Sequence, residues 1–80
     1  MPDLAAALEE LIRLLVDRPE EVRVTEVPGR RDTVLELRVA AEDLGKVIGR
    51  QGRTARALRT LLETRGDRRG ERYELDILED

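Results

Sequence analysis

The chain has 80 residues, a formal net charge of −3 and 41% charged side chains, with no cysteine and no histidine. This composition excludes disulfide frameworks, zinc fingers and enzymes that depend on a thiol or an imidazole, so we expect a non-catalytic protein without cofactor or metal. No apolar run approaches the roughly 20 residues of a membrane span, so we expect one soluble domain formed by residues 1–80.

The start of the chain predicts a helix followed by two strands. Asp3 is suited to cap a helix whose apolar residues recur every three or four positions and which ends near Asp17, because Pro19 cannot continue it. Residues 22–25 and 34–39 alternate between apolar and polar side chains, with turn residues between them. This pattern predicts a β-hairpin.

The rest of the chain predicts two helices and a final strand. Residues 41–48 form a short helix of about two turns that ends at Gly49. A second helix begins at Arg53 and ends around residues 64–66, and a loop follows it. Alternation over residues 73–77 predicts the last strand. The predicted order is α-β-β-α-α-β, an α+β fold.

Charge is distributed unevenly along the chain. Residues 44–72 carry nine basic and three acidic side chains, whereas residues 1–43 carry six basic and eleven acidic ones. Since charges are screened beyond about 8 Å at physiological salt, such a basic segment can attract nucleic acid in a protein that is acidic as a whole. A solvated helix face rich in arginine explains the same charges, and charge alone leaves both explanations open.

Two glycines, Gly49 and Gly52, join the two predicted helices. Glycine permits a tight turn and a close approach by a ligand, and the next helix presents its first N–H groups at this turn. Phosphate oxygens suit such a site, and Arg50, Arg53 and Lys46 add positive charge to it. A tight corner in which the glycines only cap helices is the alternative.

Two other phosphate-binding motifs do not fit. A Walker loop ends in Gly-Lys-Ser or Gly-Lys-Thr, but Gly45-Lys46 is followed by Val47. The dinucleotide-binding fingerprint follows a strand, whereas these glycines follow a predicted helix with a different spacing. The sequence therefore indicates no nucleotide triphosphatase and no dinucleotide-binding fold.

The segment from Leu44 to Thr54, LGKVIGRQGRT, resembles the signature of KH domains, which bind about four nucleotides of single-stranded RNA or DNA. A helix and two strands before this segment and one strand after it resemble the type II, bacterial arrangement. That arrangement implies a three-stranded mixed sheet with the helices packed on one face. Over essentially its whole length the chain is similar to small bacterial single-KH proteins of the KhpA type.

The resemblance implies an RNA-binding site around the two glycines. Its residues are Lys46, Ile48, Gly49, Arg50, Gln51, Gly52, Arg53, Thr54 and Arg56. Ile48, Ala55 and Leu58 would form the apolar floor beneath the bases. KH domains usually place a branched aliphatic residue where this chain has Ala55, which implies a shallower groove and weaker base discrimination.

The resemblance also implies a biological role and partners. Similar proteins bind single-stranded RNA and act as RNA chaperones or post-transcriptional regulators with a larger KH protein of the KhpB (Jag) type, in cell elongation and envelope homeostasis. We therefore expect a homodimer or a heterodimer with such a protein. The N-terminus shows no secretory signal, so the expected compartment is the cytoplasm. The alternative function is a dimerisation or scaffold module that keeps the KH fold but acts through protein contacts.

Overall fold

The computed structural model describes residues 3–79 and has the predicted order of elements. The helices and strands are α1 (Leu4–Arg13), β1 (Arg23–Pro28), β2 (Thr33–Arg38), α2 (Leu44–Ile48), α3 (Arg53–Arg69) and β3 (Tyr73–Ile77). Single 3-10 turns precede β1, α2 and α3. The side-chain oxygen Oδ1 of Asp3 accepts a hydrogen bond from the N–H of Ala6 at 2.8 Å, which confirms Asp3 as the N-cap of α1.

The three strands form one mixed sheet in the order β1-β2-β3. β1 and β2 are antiparallel, whereas β2 and β3 are parallel and connected through α2 and α3. Leu35 lies opposite Leu75 and both are buried beneath the helices, while the next pair, Glu36 and Asp76, lies on the opposite face. The helices therefore cover one face of the sheet, as expected for a type II KH domain.

Aliphatic side chains from every layer form the core. The fully or nearly fully buried members are Leu8, Ile12, Val22, Leu35, Leu37, Val39, Val47, Leu58, Leu62 and Leu75. Each such side chain contributes about 1.5–3 kcal/mol through burial, so this cluster supplies most of the stabilisation. No helix within residues 3–79 is long and apolar enough to cross a membrane.

The predicted end of α1 near Asp17 is wrong, because the helix ends at Arg13. The backbone N–H groups of Asp17 and Arg18 donate to the carboxylate of Asp43, at 3.1 and 2.9 Å. Asp43 is completely buried. These bonds hold the segment after α1 against the start of α2. A helix that continued to Asp17 would take the chain in a different direction.

The predicted end of α3 around residues 64–66 is also wrong, because α3 continues to Arg69 and ends at Gly70 with φ of +67°. Gly66 lies inside the helix and is buried. A Cβ at Gly66 would lie 2.4 Å from the carbonyl oxygen of Glu71. Glycine at this position therefore permits close packing, whereas Gly70 supplies the left-handed residue that ends the helix.

The outer edge of β1 is partly occupied by a side chain from α1. The N–H of Val24 donates to Oε2 of Glu9 at 2.9 Å. Arg13 holds the other oxygen of the same carboxylate at 2.9 Å, one helical turn away. This contact joins α1 to the sheet and satisfies one backbone donor at its edge.

Candidate nucleic-acid interface

The loop between α2 and α3 has an unusual backbone. Gly49, Gln51 and Gly52 all have positive φ, at +79°, +57° and +74°. A Cβ on Gly49 would lie 2.2 Å from Oγ1 of Thr54, so no side chain fits there in this conformation. Thr54 therefore packs against the loop backbone and helps to hold its shape.

Gly52 has a different surrounding from Gly49. No atom lies within 4 Å of the position that a Cβ would occupy on Gly52. Gly52 is the N-cap of α3 and provides no side-chain cap, while its N–H closes the turn to the carbonyl of Gly49 at 3.1 Å. The first turn of α3 is therefore open to an approaching group, and its dipole favours an anion.

An open groove of about 530 Å³ runs beside this loop. Its lining residues are Ile48, Gly52, Ala55, Arg56, Arg59, Asp76 and Ile77. They come from α2, the loop, α3 and β3, so the sheet provides one wall of the groove and the helices provide the other. The groove combines an apolar surface with charged side chains, a combination suited to bases and their phosphates.

The arginines of this region are available to a ligand. Arg50 and Arg56 are exposed, and their side chains have no ion-pair or hydrogen-bond partner within residues 3–79. Arg53 donates to the amide oxygen of Gln51, at 3.3 Å. Arg59 donates a long bond of 3.5 Å to the carbonyl of Leu75. A guanidinium donates hydrogen bonds in a planar fork that matches the oxygens of a phosphate, so these side chains suit such a ligand.

Lys46 has a different position from these arginines. Its Nζ lies 3.0 Å from Oδ2 of Asp17 and 3.7 Å from Oδ1 of Asp43. Hydrogen bonding to Asp17, together with the charges of both carboxylates, raises the pKa of Lys46. The ammonium is therefore paired within the protein and lies outside the lining of the groove.

The carboxylate of Asp43 stays ionised although it is buried. Burial by itself raises the pKa of Asp43, but the N–H groups of Asp17 and Arg18 and the ammonium of Lys46 outweigh burial and hold the pKa below its usual range. This carboxylate connects the segment after α1 to the first turn of α2. It therefore stabilises the helix that leads into the glycine loop.

The structure places the residues predicted for the site in three groups. Ile48, Gly52 and Arg56 line the groove, with Ala55 as its small floor residue. The other residues predicted around the loop lie beside the groove, and they are Gly49, Arg50, Gln51, Arg53 and Thr54. Lys46 lies apart in its ion pairs, and Leu58 is buried in the core, where it contacts α1 rather than the groove.

Sequence reasoning missed Asp76 and Ile77 as part of the groove. Both belong to β3, more than twenty residues after the glycine loop, and no local pattern connects them to it. The parallel pairing of β2 with β3 is what brings Ile77 to the level of Leu37. Only a prediction of strand register could have found these two residues.

A second, smaller cavity of about 140 Å³ lies between α1 and α3. Its lining is entirely apolar: Leu4, Ala7, Leu8, Leu11, Leu58, Leu61 and Leu62. Leu61 is 58% exposed at its rim. Large leucines in contact with solvent beside an apolar cavity are typical of an interaction surface.

Comparison with known proteins gives the family. The family model of the KhpA/KhpB KH domain matches residues 5–77. The chain belongs to the KhpA/KhpB family of KH domains. The glycine loop and the groove both lie within the matched residues.

Several KhpA relatives match almost all of the chain. The RNA-binding protein KhpA of Treponema pallidum is 56% identical over 75 residues, which cover 89% of this chain and 94% of that protein. The RNA-binding protein KhpA of Aquifex aeolicus is 51% identical over 78 residues, covering 92% and 99%. That of Streptomyces coelicolor is 55% identical over 65 residues, covering 81% and 82%. No solved structure gives a significant match.

Proposed function

We propose that this KhpA/KhpB-family chain is a single type II KH domain, residues 1–80, that binds single-stranded RNA without catalysis. The observation that carries the proposal is the loop from Gly49 to Gly52, where positive φ angles and an open approach at Gly52 accompany unpaired arginines. The names of the KhpA relatives support RNA as the ligand.

Different parts of the site would bind the phosphates and the bases. Backbone N–H groups at the loop and the start of α3 bind phosphate oxygens, with Arg50, Arg53 and Arg56 supplying charge. Bases rest on the apolar floor formed by Ile48 and Ala55. The remaining predicted residues have supporting roles: Gln51 and Gly52 shape the loop tip, and Thr54 fixes Gly49. Lys46 is paired with Asp17 and Asp43, so it stabilises the start of α2 rather than binding RNA.

The test replaces Arg50 and Gln51 together with aspartate. Two carboxylates would then stand where the phosphates bind, so affinity for single-stranded RNA falls at least roughly tenfold, which is about 1.4 kcal/mol. Folding survives because both residues are exposed and aspartate tolerates the positive φ of Gln51. Fluorescence titration with a labelled RNA oligonucleotide measures the affinity, and thermal unfolding checks the fold.

A matched control carries the same change in net charge elsewhere. Arg30→Asp combined with Arg31→Gln alters the exposed β1–β2 turn, which is not part of the groove lining. We expect this control to lose less than about threefold in affinity through long-range electrostatics alone. Undiminished RNA binding by the double aspartate variant, or an equal loss in both variants, would overturn the assignment of the loop and favour the scaffold function.

We propose in addition that two copies assemble through the apolar cavity between α1 and α3. Leu61 of each copy would fill the cavity of the other, and the neighbouring exposed side chains of α3, Ala57, Thr60 and Thr64, carry no charge. In a two-fold contact each copy presents this same face to the other. Two grooves in one particle also raise avidity for RNA through effective concentration.

Sedimentation at about tens of micromolar tests this assembly. We expect a dimer for the parent chain and a monomer for Leu61→Glu, because a buried glutamate would lose its hydration without a partner. Leu14→Glu is the matched control, since Leu14 is 82% exposed and lies outside the cavity lining, and this variant stays dimeric. A monomeric parent would exclude self-association and leave a larger KH protein as the partner.

For the cell we propose a cytoplasmic RNA chaperone or post-transcriptional regulator that acts with a larger KH protein of the KhpB type, in cell elongation and envelope homeostasis. The support is the family, whose model describes KhpA and KhpB together. Crosslinking followed by sequencing of the bound RNA, with the double aspartate variant as control, identifies the targets. Absence of crosslinked RNA in cells would contradict this role.

A further inference from the structure

The guanidinium of Arg65 is partly enclosed by the protein but has no acceptor. Its Nε is buried without a hydrogen bond, and the side chain forms no ion pair within residues 3–79. Asp3 and Glu26 line the same cavity of about 340 Å³, yet neither carboxylate pairs with it. Because an enclosed donor without an acceptor is unfavourable, the outer nitrogens of this guanidinium suit a carboxylate from another molecule.

Arg65 lies at the edge of the apolar cavity through which we propose that two copies assemble. Leu4 borders both that cavity and the one that contains Arg65. Arg65 follows Leu61 by four positions in α3, so the two side chains lie on the same side of the helix. A second copy that covers Leu61 therefore also comes close to Arg65.

α1 and α3 run in opposite directions along this face. Leu4, the first residue of α1, lies beside Arg65 in the second half of α3. Leu11, near the end of α1, borders the apolar cavity together with Leu58, which belongs to the first half of α3. The last turn of α1 therefore lies at the end of the face that is farther from Arg65.

That farther end of the face carries a carboxylate. Glu10 is exposed in the last turn of α1 and follows Ala7, a residue of the cavity lining, by three positions. Arg13 lies 2.9 Å from Glu9 but 3.6 Å from Glu10. Since so exposed and long an ion pair is weak, the carboxylate of Glu10 remains available to a stronger partner.

A two-fold axis can relate two such faces with their α3 helices either parallel or antiparallel. Parallel packing would bring Arg65 of one copy beside Arg65 of the other, where like charges repel. Antiparallel packing about Leu61 brings the Arg65 end of each copy against the Glu10 end of the other, so the contact occurs twice. We propose that Arg65 pairs with Glu10 of the second copy and thereby selects the antiparallel dimer, an inference that rests on the proposed assembly.

Exchange of the two charges tests this pair. Arg65→Glu and Glu10→Arg each make both contacts like-charged, so we expect either variant to dimerise at least roughly tenfold more weakly than the parent in sedimentation. The first substitution makes the chain more acidic and the second makes it less acidic, so net charge cannot explain a loss in both. Thermal unfolding verifies the fold of each variant.

A mixture of the two variants is the decisive measurement. In a mixed dimer both contacts again join opposite charges, whereas each variant with itself joins like charges. A fluorescently labelled Arg65→Glu chain therefore sediments as a dimer when Glu10→Arg is added, with an affinity near that of the parent.

Glu63→Arg is the matched control in this mixture. Glu63 is exposed, precedes Arg65 by two positions on another side of α3, and borders a different cavity. It undergoes the same change of charge as Glu10→Arg but keeps the carboxylate of Glu10. The labelled Arg65→Glu chain therefore stays monomeric in its presence.

Arg65→Gln is a second variant that removes the charge and keeps a polar side chain. Its dimer is weaker than that of the parent but stronger than that of Arg65→Glu. Added salt weakens the parent dimer more than the Arg65→Gln dimer, because ions screen a pair of charges but not an apolar contact. Equal sensitivity to salt would contradict the ion pair.

Each outcome of the mixing experiment decides the inference. A dimer of parental affinity formed by Arg65→Glu alone, or restoration by Glu63→Arg as well as by Glu10→Arg, overturns it. If Leu61→Glu still gives a monomer in that case, the proposed contact surface stands and only the ion pair is wrong. A monomeric parent overturns both the assembly and the ion pair, while RNA titration tests the glycine loop independently.

Discussion

The two ends of α2 use charge in opposite ways. At its N-terminal end, Asp43 is buried and its carboxylate, together with that of Asp17, pairs with Lys46. At its C-terminal end, the glycine loop is followed by arginines such as Arg56 that have no partner within residues 3–79. The cation at the first end is neutralised by carboxylates of the protein, and we call this the closed end. The arginines at the second end are available to a ligand, and we call this the open end.

This difference shows that the position of a basic residue near a motif does not decide its role. Lys46 and Arg50 lie on either side of Gly49 in the sequence, and both look equally suited to phosphate binding. The buried carboxylate of Asp43 changes that, because an ionised oxygen away from water requires donors and a positive charge. Pairing inside the fold therefore determines which cations remain available to a ligand.

The largest effect that we expect is on the free energy of unfolding, and it differs between the two glycines at the open end. Gly49→Ala combines positive φ with a clash against Thr54 and costs about 3 kcal/mol of unfolding free energy, whereas Gly52→Ala meets only the φ penalty of about 1 kcal/mol. Urea denaturation measures both values. Equal losses would show that the packing of Thr54 does not restrict the loop.

At the closed end, Asp43→Ala leaves the N–H groups of Asp17 and Arg18 without their acceptor and removes a partner of Lys46. We expect the melting temperature to fall by roughly 10 °C. Asp17→Asn, which changes only an exposed ion pair, lowers it by about 2 °C or less. A similar drop for both would mean that the buried carboxylate adds nothing beyond a surface salt bridge.

A smaller effect compares cations from the two ends. Arg56→Ala weakens single-stranded RNA binding about three- to fivefold and reduces the slope of log affinity against log salt by roughly 0.7, as the loss of one phosphate contact requires. Lys46→Ala changes that slope little, since its ammonium is already paired. Titrations across a salt series provide both slopes, and identical slopes for the two variants would remove the distinction.

The smallest effect is acid sensitivity at the closed end. The pKa of Asp43 lies below its ordinary value of 3.8 in the folded protein, so its contribution to stability is complete above that value and disappears as the pH falls through the folded pKa. Melting temperatures of the parent and of Asp43→Asn, compared between about pH 6 and pH 2.5, should converge toward the acid end. A constant difference would contradict the role of the ionised form.

The sequence was sufficient where local chemistry decides the structure. The cap at Asp3, the end of α2 at Gly49 and the final strand at Tyr73–Ile77 all depend on nearby residues and were predicted. From the sequence, either Gly66 or Gly70 is a candidate for the residue that ends α3. In the structure Gly66 lies inside the helix, where Glu71 approaches it too closely for a Cβ, and Gly70 ends the helix. Local patterns contain no information of that kind.

The candidate site divides in the same way. Its loop follows from two glycines and their basic neighbours, so the sequence was enough to predict a tight glycine turn between α2 and α3. The β3 wall and the ion pairs of Lys46 depend on contacts between distant segments, as between Asp17 and Asp43. The β3 residues that line the groove and the partners of Lys46 were therefore beyond sequence reasoning.

The two outer edges of the sheet have a consequence for how copies of this chain can accumulate. Glu9 occupies a backbone donor on β1, and Arg59 occupies a backbone acceptor on β3. A strand from another molecule would have to displace these side chains before it could extend the sheet. Copies of this chain that come close together therefore do not readily join edge to edge into a continuous sheet, the arrangement from which fibres grow.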